Sequence, residues 1–259
     1  MNRIDRTFRR LCALRRPGFV AYITAGDPSL AWTRRLVLGL AQCGCDAIEL
    51  GVPFSDPLAD GVVNQRAAQR ALASGTTLKK ILQSVAQIRK TTPVPLILFS
   101  YFNPIHRMGV EAFARRAASA GVDGVLVLDL PPEESAAIRE ALHAFGLKMI
   151  VLIAPTSSAR RIRKIARGAG GFIYCVSRTG VTGSQASRLQ EVRRLVQRVK
   201  KVSRLPVVVG FGISRPAHVR SIGKIADGVV VGSAIVSKIE ENPKNPLPGV
   251  LRFVRRLHA

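Results

Sequence analysis

Residues 206–232 read Pro-Val-Val-Val-Gly-Phe-Gly-Ile-Ser-Arg-Pro-Ala-His-Val-Arg-Ser-Ile-Gly-Lys-Ile-Ala-Asp-Gly-Val-Val-Val-Gly: an apolar run, an amphipathic stretch and a second apolar run. Nearly continuous Val-rich runs suit parallel strands covered on both faces, and the stretch at 216–225 carries a helical pattern. The unit predicts strand, helix, strand. Outward from it the same alternation recurs, with further strands predicted at 19–24, 47–51, 95–101, 124–130, 148–154 and 172–177. Helical patterns fall at about 29–43, 63–72, 78–90, 110–120, 133–145, 158–168 and 187–202, with two more near 233–241 and 247–258. Eight strands, each followed by a helix, predict an α/β fold closed into a single (β/α)8 TIM barrel with extra C-terminal helices. A doubly wound open sheet is the runner-up, but it needs fewer strands. Met1 to Arg16 is Arg-rich yet carries Asp5 and runs straight into the strand at Phe19, so it reads as an N-terminal helix capping one end. No linker interrupts residues 1–259, a length that suits one barrel domain.

With 47% hydrophobic residues the chain can build a packed core, and it has no apolar run long enough to span a membrane. Four cysteines (Cys12, Cys43, Cys45, Cys175) are too few for a disulfide framework. They read as buried thiols in a reducing, cytoplasmic compartment. Forty Lys and Arg against 16 Asp and Glu give a net charge of +24, which raises nucleic-acid binding as a reading. The basic doublets, such as Arg34-Arg35, Arg115-Arg116 and Arg193-Arg194, are scattered along the amphipathic segments. No aromatic pattern suggests base stacking, so a solvated basic shell is preferred over a nucleic-acid partner.

In a barrel of this kind, chemistry belongs at the C-terminal ends of the strands. Asp27, Glu49, Asp56, Asp60 and Asp129 all fall there. Glu49 alternates with Ala47 and Gly51 on an otherwise apolar strand, which points it into the barrel. A buried carboxylate has a raised pKa and suits general acid/base work; the other reading is a structural carboxylate bonded to backbone. Asp60 ends a long loop and either binds a substrate N–H or caps the helix starting near Val62. Gly180-Val181-Thr182-Gly183, Gly210-Phe211-Gly212 and Gly232-Ser233 place three glycine turns at the mouth, the last opening a helix, and together they predict a phosphate site. No lysine lies at a strand C-terminus for Schiff-base chemistry, since Lys148 begins its strand. The four histidines are widely spaced and the Cys43/Cys45 pair lacks a second cluster, so no metal is predicted, and no G-x-G-x-x-G follows a strand to support a dinucleotide fold.

Six blocks then resemble one family: Phe19 to Pro28, Glu49 to Gly61, Tyr101 to Ile105, Ser177 to Gly183, Gly210 to Ser214 and Gly232 to Val236. Across essentially the whole chain they are similar to the tryptophan synthase α subunit. The resemblance implies retro-aldol cleavage of indole-3-glycerol phosphate to indole and glyceraldehyde 3-phosphate, with no cofactor in this chain. It makes Glu49, Asp60 and Tyr174 the catalytic residues. It places the phosphate on Gly183, Gly212, Gly232 and Ser233 beside Phe211, and the indole against Tyr22, Leu126 and Phe211. It further implies an αββα complex with a pyridoxal-phosphate-dependent β subunit, and a lid and partner contact formed by Pro53, Asp56, Pro57, Arg178 and Thr182.

Two departures stand out. Val62-Val63-Asn64 occupies a place where the family usually has Pro and then an apolar residue, which bears on lid positioning. Tyr22 stands where Phe is usual and adds a hydroxyl to the indole wall. The alternatives are a related phosphate-binding barrel of the same pathway, or a non-catalytic activator of the β subunit.

Overall fold

The structure, a computed structural model, describes residues 1–176, 185–210 and 212–258. Its strands are β1 (Gly18–Thr24), β2 (Ala47–Gly51), β3 (Leu96–Ser100), β4 (Gly124–Val127), β5 (Lys148–Ile153), β6 (Ile173–Val176), β7 (Val207–Gly210) and β8 (Gly228–Val231). They pair in chain order, all parallel, and β8 returns to β1 to close the barrel. The helices are α1 (Arg3–Ala13), α2 (Leu30–Gln42), α3 (Val62–Ala73), α4 (Leu78–Arg89), α5 (Phe102–Met108) and α6 (Val110–Ala120). After them come α7 (Ala136–Ala144), α8 (Ala159–Arg167), α9 (Gln185–Lys200), α10 (Pro216–Gly223), α11 (Ser233–Glu241) and α12 (Leu247–His258). Among the described residues no helix is long and apolar enough to cross a membrane.

Strand alternation divides the core in two. Outward side chains such as Ile23, Ile48, Leu50, Leu98 and Val229 pack under the helices. Inward ones form a second cluster of Val20, Tyr22, Ala47, Ile97, Leu126, Ile150, Phe172, Tyr174, Val208 and Val230. The strands therefore bury both faces, which is why they read as continuous apolar runs rather than alternating ones. Helix α1 closes the N-terminal end: Ile4, Phe8 and Leu11 belong to the inner cluster, and Phe8 meets Phe172 at 5.5 Å between centroids. Gly124 leaves room for this packing, since a Cβ on it would lie 2.9 Å from Ile4 Cδ1 and 2.8 Å from Ile150 Cδ1. Lys148 is held at this same end by Asp5, 2.9 Å away.

Three aspartates staple the N-terminal rim in one recurring arrangement. Asp46, Asp123 and Asp227 each precede a strand and accept a backbone N–H from the strand before it: Phe19, Leu96 and Val207 respectively, at 2.8–2.9 Å. Their other oxygens pair with Arg16, Arg3 and Lys200, and Arg89 adds a second cation to Asp123. An aspartate whose oxygens take both an N–H and a cation satisfies the carboxylate at a site that is largely buried for Asp46 and Asp123.

The structure corrects the sequence reading at several points. Helix α5 was not anticipated; Pro104 in it reads as a breaker, yet it is only the third helical residue, where no intrahelical N–H is lost. Strand β4 stops at Val127 rather than 130, because Asp129 turns its carboxylate onto the Phe102 N–H at 2.7 Å. Helix α7 starts at Ala136, after the turn that Pro131 and Pro132 open. Cys45 and Cys175 are buried as expected, but Cys12 is exposed and Cys43, the C-cap residue of α2, is half-buried.

Candidate active site

Glu49 occupies the centre of β2 with no solvent exposure. Its Cα partners are Tyr22 on β1 and Ile97 on β3, both inward-facing, so the carboxyl lies inside the barrel. Both carboxyl oxygens are buried without a hydrogen-bond partner among the described residues. That excludes a structural carboxylate bonded to backbone. An unpaired carboxylate here would forfeit its hydration, and burial accordingly pushes Glu49 up to about 8. Tyr22 and Tyr174 flank it, and burial raises both phenols, with the Glu49 charge adding to the rise. Glycines make room for the phenols: a Cβ at Gly51 would lie 2.2 Å from the Tyr22 hydroxyl, and one at Gly210 2.3 Å from that of Tyr174. The Tyr22 hydroxyl reaches only Thr24 Oγ1, at 3.5 Å. Phe99, one alternation beyond Ile97, packs its ring edge to face with Tyr22 at 5.2 Å and joins the wall with Leu126. Strand alternation alone would have found Phe99.

Asp60 closes the loop between β2 and α3, and its neighbours differ from a helix cap. The N-cap of α3 is Gly61, with no side-chain cap bond. Asp60 instead accepts from the Tyr101 hydroxyl at 3.0 Å and, weakly, from Asn64 Nδ2 at 3.5 Å. Gln65 Nε2 donates to its backbone carbonyl. Burial raises the Asp60 carboxyl above its ordinary value, and these hydrogen bonds oppose the rise. Tyr101, at the end of β3, also accepts the Ala59 N–H at 2.9 Å and packs on Phe54 at 5.1 Å. This one phenol thus pins both flanks of the loop. The residue lay within a recognised block, but its role was not legible because its partners are about forty positions away. All three tyrosines of the chain (Tyr22, Tyr101, Tyr174) belong to this site.

The remaining mouth carboxylates separate by their partners. Asp27 is fully buried and held bidentately by Arg70 at 2.8 Å, with Arg70 and Arg66 continuing to Glu240 on α11. Asp129 is committed to the Phe102 N–H. Asp56 is exposed, Pro53 is buried and Pro57 half-buried along the loop. After β8, Gly232 is the N-cap of α11 and its Cα side faces the Tyr22 ring, a Cβ there lying 3.5 Å from Tyr22 Cβ. Ser233 begins that helix; the Ile235 and Val236 N–H groups donate to the Gly232 carbonyl, which leaves the Ser233 and Ala234 N–H groups at the helix start to favour an anion. Gly212 has a φ of 58°, a conformation suited to glycine. Arg178, Thr182, Gly183 and Phe211 lie outside the described residues. Among the described residues no group of three or more His, Cys, Asp and Glu gathers as a metal site.

A family model described as Tryptophan synthase alpha chain matches residues 8–256. The tryptophan synthase alpha chain of Geotalea daltonii is 52% identical over 241 residues, covering 93% of this chain and 91% of the relative. That of Opitutus terrae is 48% identical over 246 residues, covering 95% and 92%. Among solved structures, tryptophan synthase subunit alpha from Legionella pneumophila superposes with a TM-score of 0.91 at 40% identity, covering 99% of this chain and 97% of that one. A chain of the tryptophan synthase complex from Pyrococcus furiosus gives 0.87 at 37% identity, covering 94% and 98%. With a barrel mouth that joins an inward acid, a loop carboxylate and a helix N-terminus, and with relatives matched over nearly their full length, the chain belongs to the tryptophan synthase alpha chain family.

Proposed function

We propose that Glu49 and Asp60 carry the retro-aldol cleavage of indole-3-glycerol phosphate, with the phosphate held at Gly232, Ser233 and Gly212 and, beyond the described residues, at Gly183. The family makes this chain a carbon–carbon lyase of tryptophan biosynthesis. The observation that carries the residue assignment is the Glu49 carboxyl, fully buried and without a hydrogen-bond partner, which keeps its proton at neutral pH.

Glu49 in its protonated form delivers a proton to indole C3, leaving a carboxylate and a positive charge spread toward the ring nitrogen. Asp60 accepts the indole N–H, and its negative charge stabilises that developing cation. The glycerol hydroxyl next to the ring then gives its proton back to the Glu49 carboxylate as the C–C bond breaks. The bonding pair returns to the ring, the aldehyde forms, and Glu49 ends as it began. Tyr22, Phe99 and Leu126 supply the apolar wall against which the ring is held, and Tyr174 borders the reacting carbon. Each step is a proton transfer or a bond cleavage that these side chains cover, so the reading needs no cofactor in this chain.

The finer partner assignment is an αββα assembly in the cytoplasm, with indole passed to a β subunit that carries pyridoxal phosphate. Support comes from the loop between β2 and α3 and the start of α3, where Leu58 is 84% exposed and Val62 64% exposed near Asp56 and Pro57. Two large exposed apolar side chains at the mouth suit burial against a partner. The deciding experiment measures indole release with and without a β subunit. Glu49→Gln is expected to abolish release while glycerol 3-phosphate still binds; a variant that keeps turning over refutes the acid assignment.

A further inference from the structure

We infer that the N-terminal end of the barrel, opposite Glu49, carries a second anion site that takes a ligand with two or more linked phosphate groups. A cavity of about 680 Å³ opens there between three turns: the one after α1, the one before β7 and the one before β8. Its floor is apolar, formed in part by Phe8 and Leu11, and its walls carry Arg15, Arg16, Lys200, Arg204 and Lys224. The only carboxylate in the lining is Asp227, which already binds Lys200 and the Val207 N–H. Arg16 is neutralised by Asp46 at 2.6 Å. Arg15, Arg204 and Lys224 are left around one concavity with no carboxylate partner among the described residues. Three like charges around one cavity repel, and a polyanion placed between them turns that repulsion into attraction.

A second observation comes from the backbone. Arg15 has a φ of 49°, the one positive value at a non-glycine position among the described residues. It follows the C-cap of α1, where its N–H bonds to the Cys12 carbonyl and the Arg16 N–H to the Leu11 carbonyl. This is the paired hydrogen-bond pattern in which glycine is the favoured residue. An arginine stands here in a conformation that disfavours side chains, and this residue lines the cavity. The concave shape selects a compact ligand, and no aromatic ring is exposed in the lining to stack on a nucleobase strand.

The test is calorimetric titration of the full chain with inorganic triphosphate at about 0.15 M salt. Saturating glycerol 3-phosphate is present to fill the catalytic phosphate site. One triphosphate per chain is expected to bind, and Arg15→Gly/Arg204→Ala/Lys224→Ala to weaken it by about ten-fold or more. Indole release by that variant should be unchanged. Arg15→Gly alone should weaken triphosphate binding and, without ligand, raise the melting midpoint by about 2 °C. ATP in place of triphosphate separates a nucleotide ligand, which binds more tightly, from a bare phosphate chain, which binds equally; both outcomes retain the site. Absence of saturable binding, equal binding by the triple variant, or orthophosphate binding as tightly as triphosphate each overturns it.

Discussion

Replacing Glu49 with glutamine should make the protein more stable, and by an amount set by pH. In the unfolded chain a glutamate loses its proton near 4.5, whereas in the barrel burial holds Glu49 up to about 8. A carboxyl with a raised folded pKa leaves stability intact below the unfolded value and withdraws it as pH climbs toward the folded one. Between pH 4.5 and 8 the loss is about 1.4 kcal/mol per pH unit, so at pH 7 it amounts to about 3 kcal/mol. Glutamine matches the shape of the neutral acid and does not titrate. Its amide is as poorly partnered as the carboxyl it replaces, so the two proteins should have similar stability at pH 4.5. At pH 7 the variant should lead by about 3 kcal/mol, near 6 °C in melting midpoint for a chain of this length. Thermal or urea unfolding of both proteins from pH 4.5 to 8 measures the difference. A gap that stays constant across that range would falsify the claim that Glu49 is buried neutral.

The same group fixes one limb of the activity profile: indole release should fall about ten-fold per pH unit above pH 8 as Glu49 loses its proton. The acid limb should lie above the ordinary carboxylate range, because Asp60 must be charged and burial raises it; a limb at or below that range contradicts the role given to Asp60. Tyr101→Phe removes the hydroxyl shared by Ala59 and Asp60, and should lower kcat/KM about ten-fold and stability by about 1 kcal/mol. Steady-state kinetics that leave kcat/KM unchanged would show that the loop does not depend on this latch. Asp123→Ala frees the Leu96 N–H and removes the carboxylate that pairs with Arg89, a side chain only 13% exposed that keeps just the carbonyls of Gly121, Thr92 and Val94, so a loss of about 3 kcal/mol is expected. Because that rim is far from Glu49, indole release at 25 °C should be unaffected, and a parallel loss of activity would mean that the rim and the mouth are coupled.

Some of this was readable in the chain and some was not, for reasons of range. Strands buried on both faces announce themselves through composition, as Val207 to Val209 and Val229 to Val231 do. Glu49 is legible because a charge amid such a run has only two directions to point, and alternation chooses between them. Asp60 was left between a cap and a ligand, since both readings use the same local sequence; Gly61 as N-cap and Tyr101 as partner remove the cap reading. Helix α5 hid behind Pro104, and Tyr101 and Phe99 act through residues far off in the chain. The rim aspartates escaped notice for the same reason: Asp46, Asp123 and Asp227 each join strands whose sequence separation exceeds any local motif.

A chain with 40 cationic side chains faces a difficulty in keeping one acid protonated near neutrality. A single Lys or Arg beside Glu49 would favour the carboxylate and remove the proton that the proposed mechanism delivers to C3. The described structure keeps cations from it in two ways. Inward positions on the strands are apolar or phenolic through the whole inner cluster, and Lys148, the basic residue on a strand, is tied to Asp5 at the far end. At the mouth, Arg70 and Arg66 are occupied by Asp27 and Glu240. Among the described residues burial is accordingly the cause that sets the Glu49 proton, with no opposing cation. Much of the excess positive charge lies on the outer helices and the N-terminal rim, where Arg9, Arg10, Arg115, Arg116, Arg193 and Arg194 face solvent. A surface can therefore carry a charge of +24 without disturbing the acid, so long as the strand positions packed around Glu49 stay apolar or phenolic.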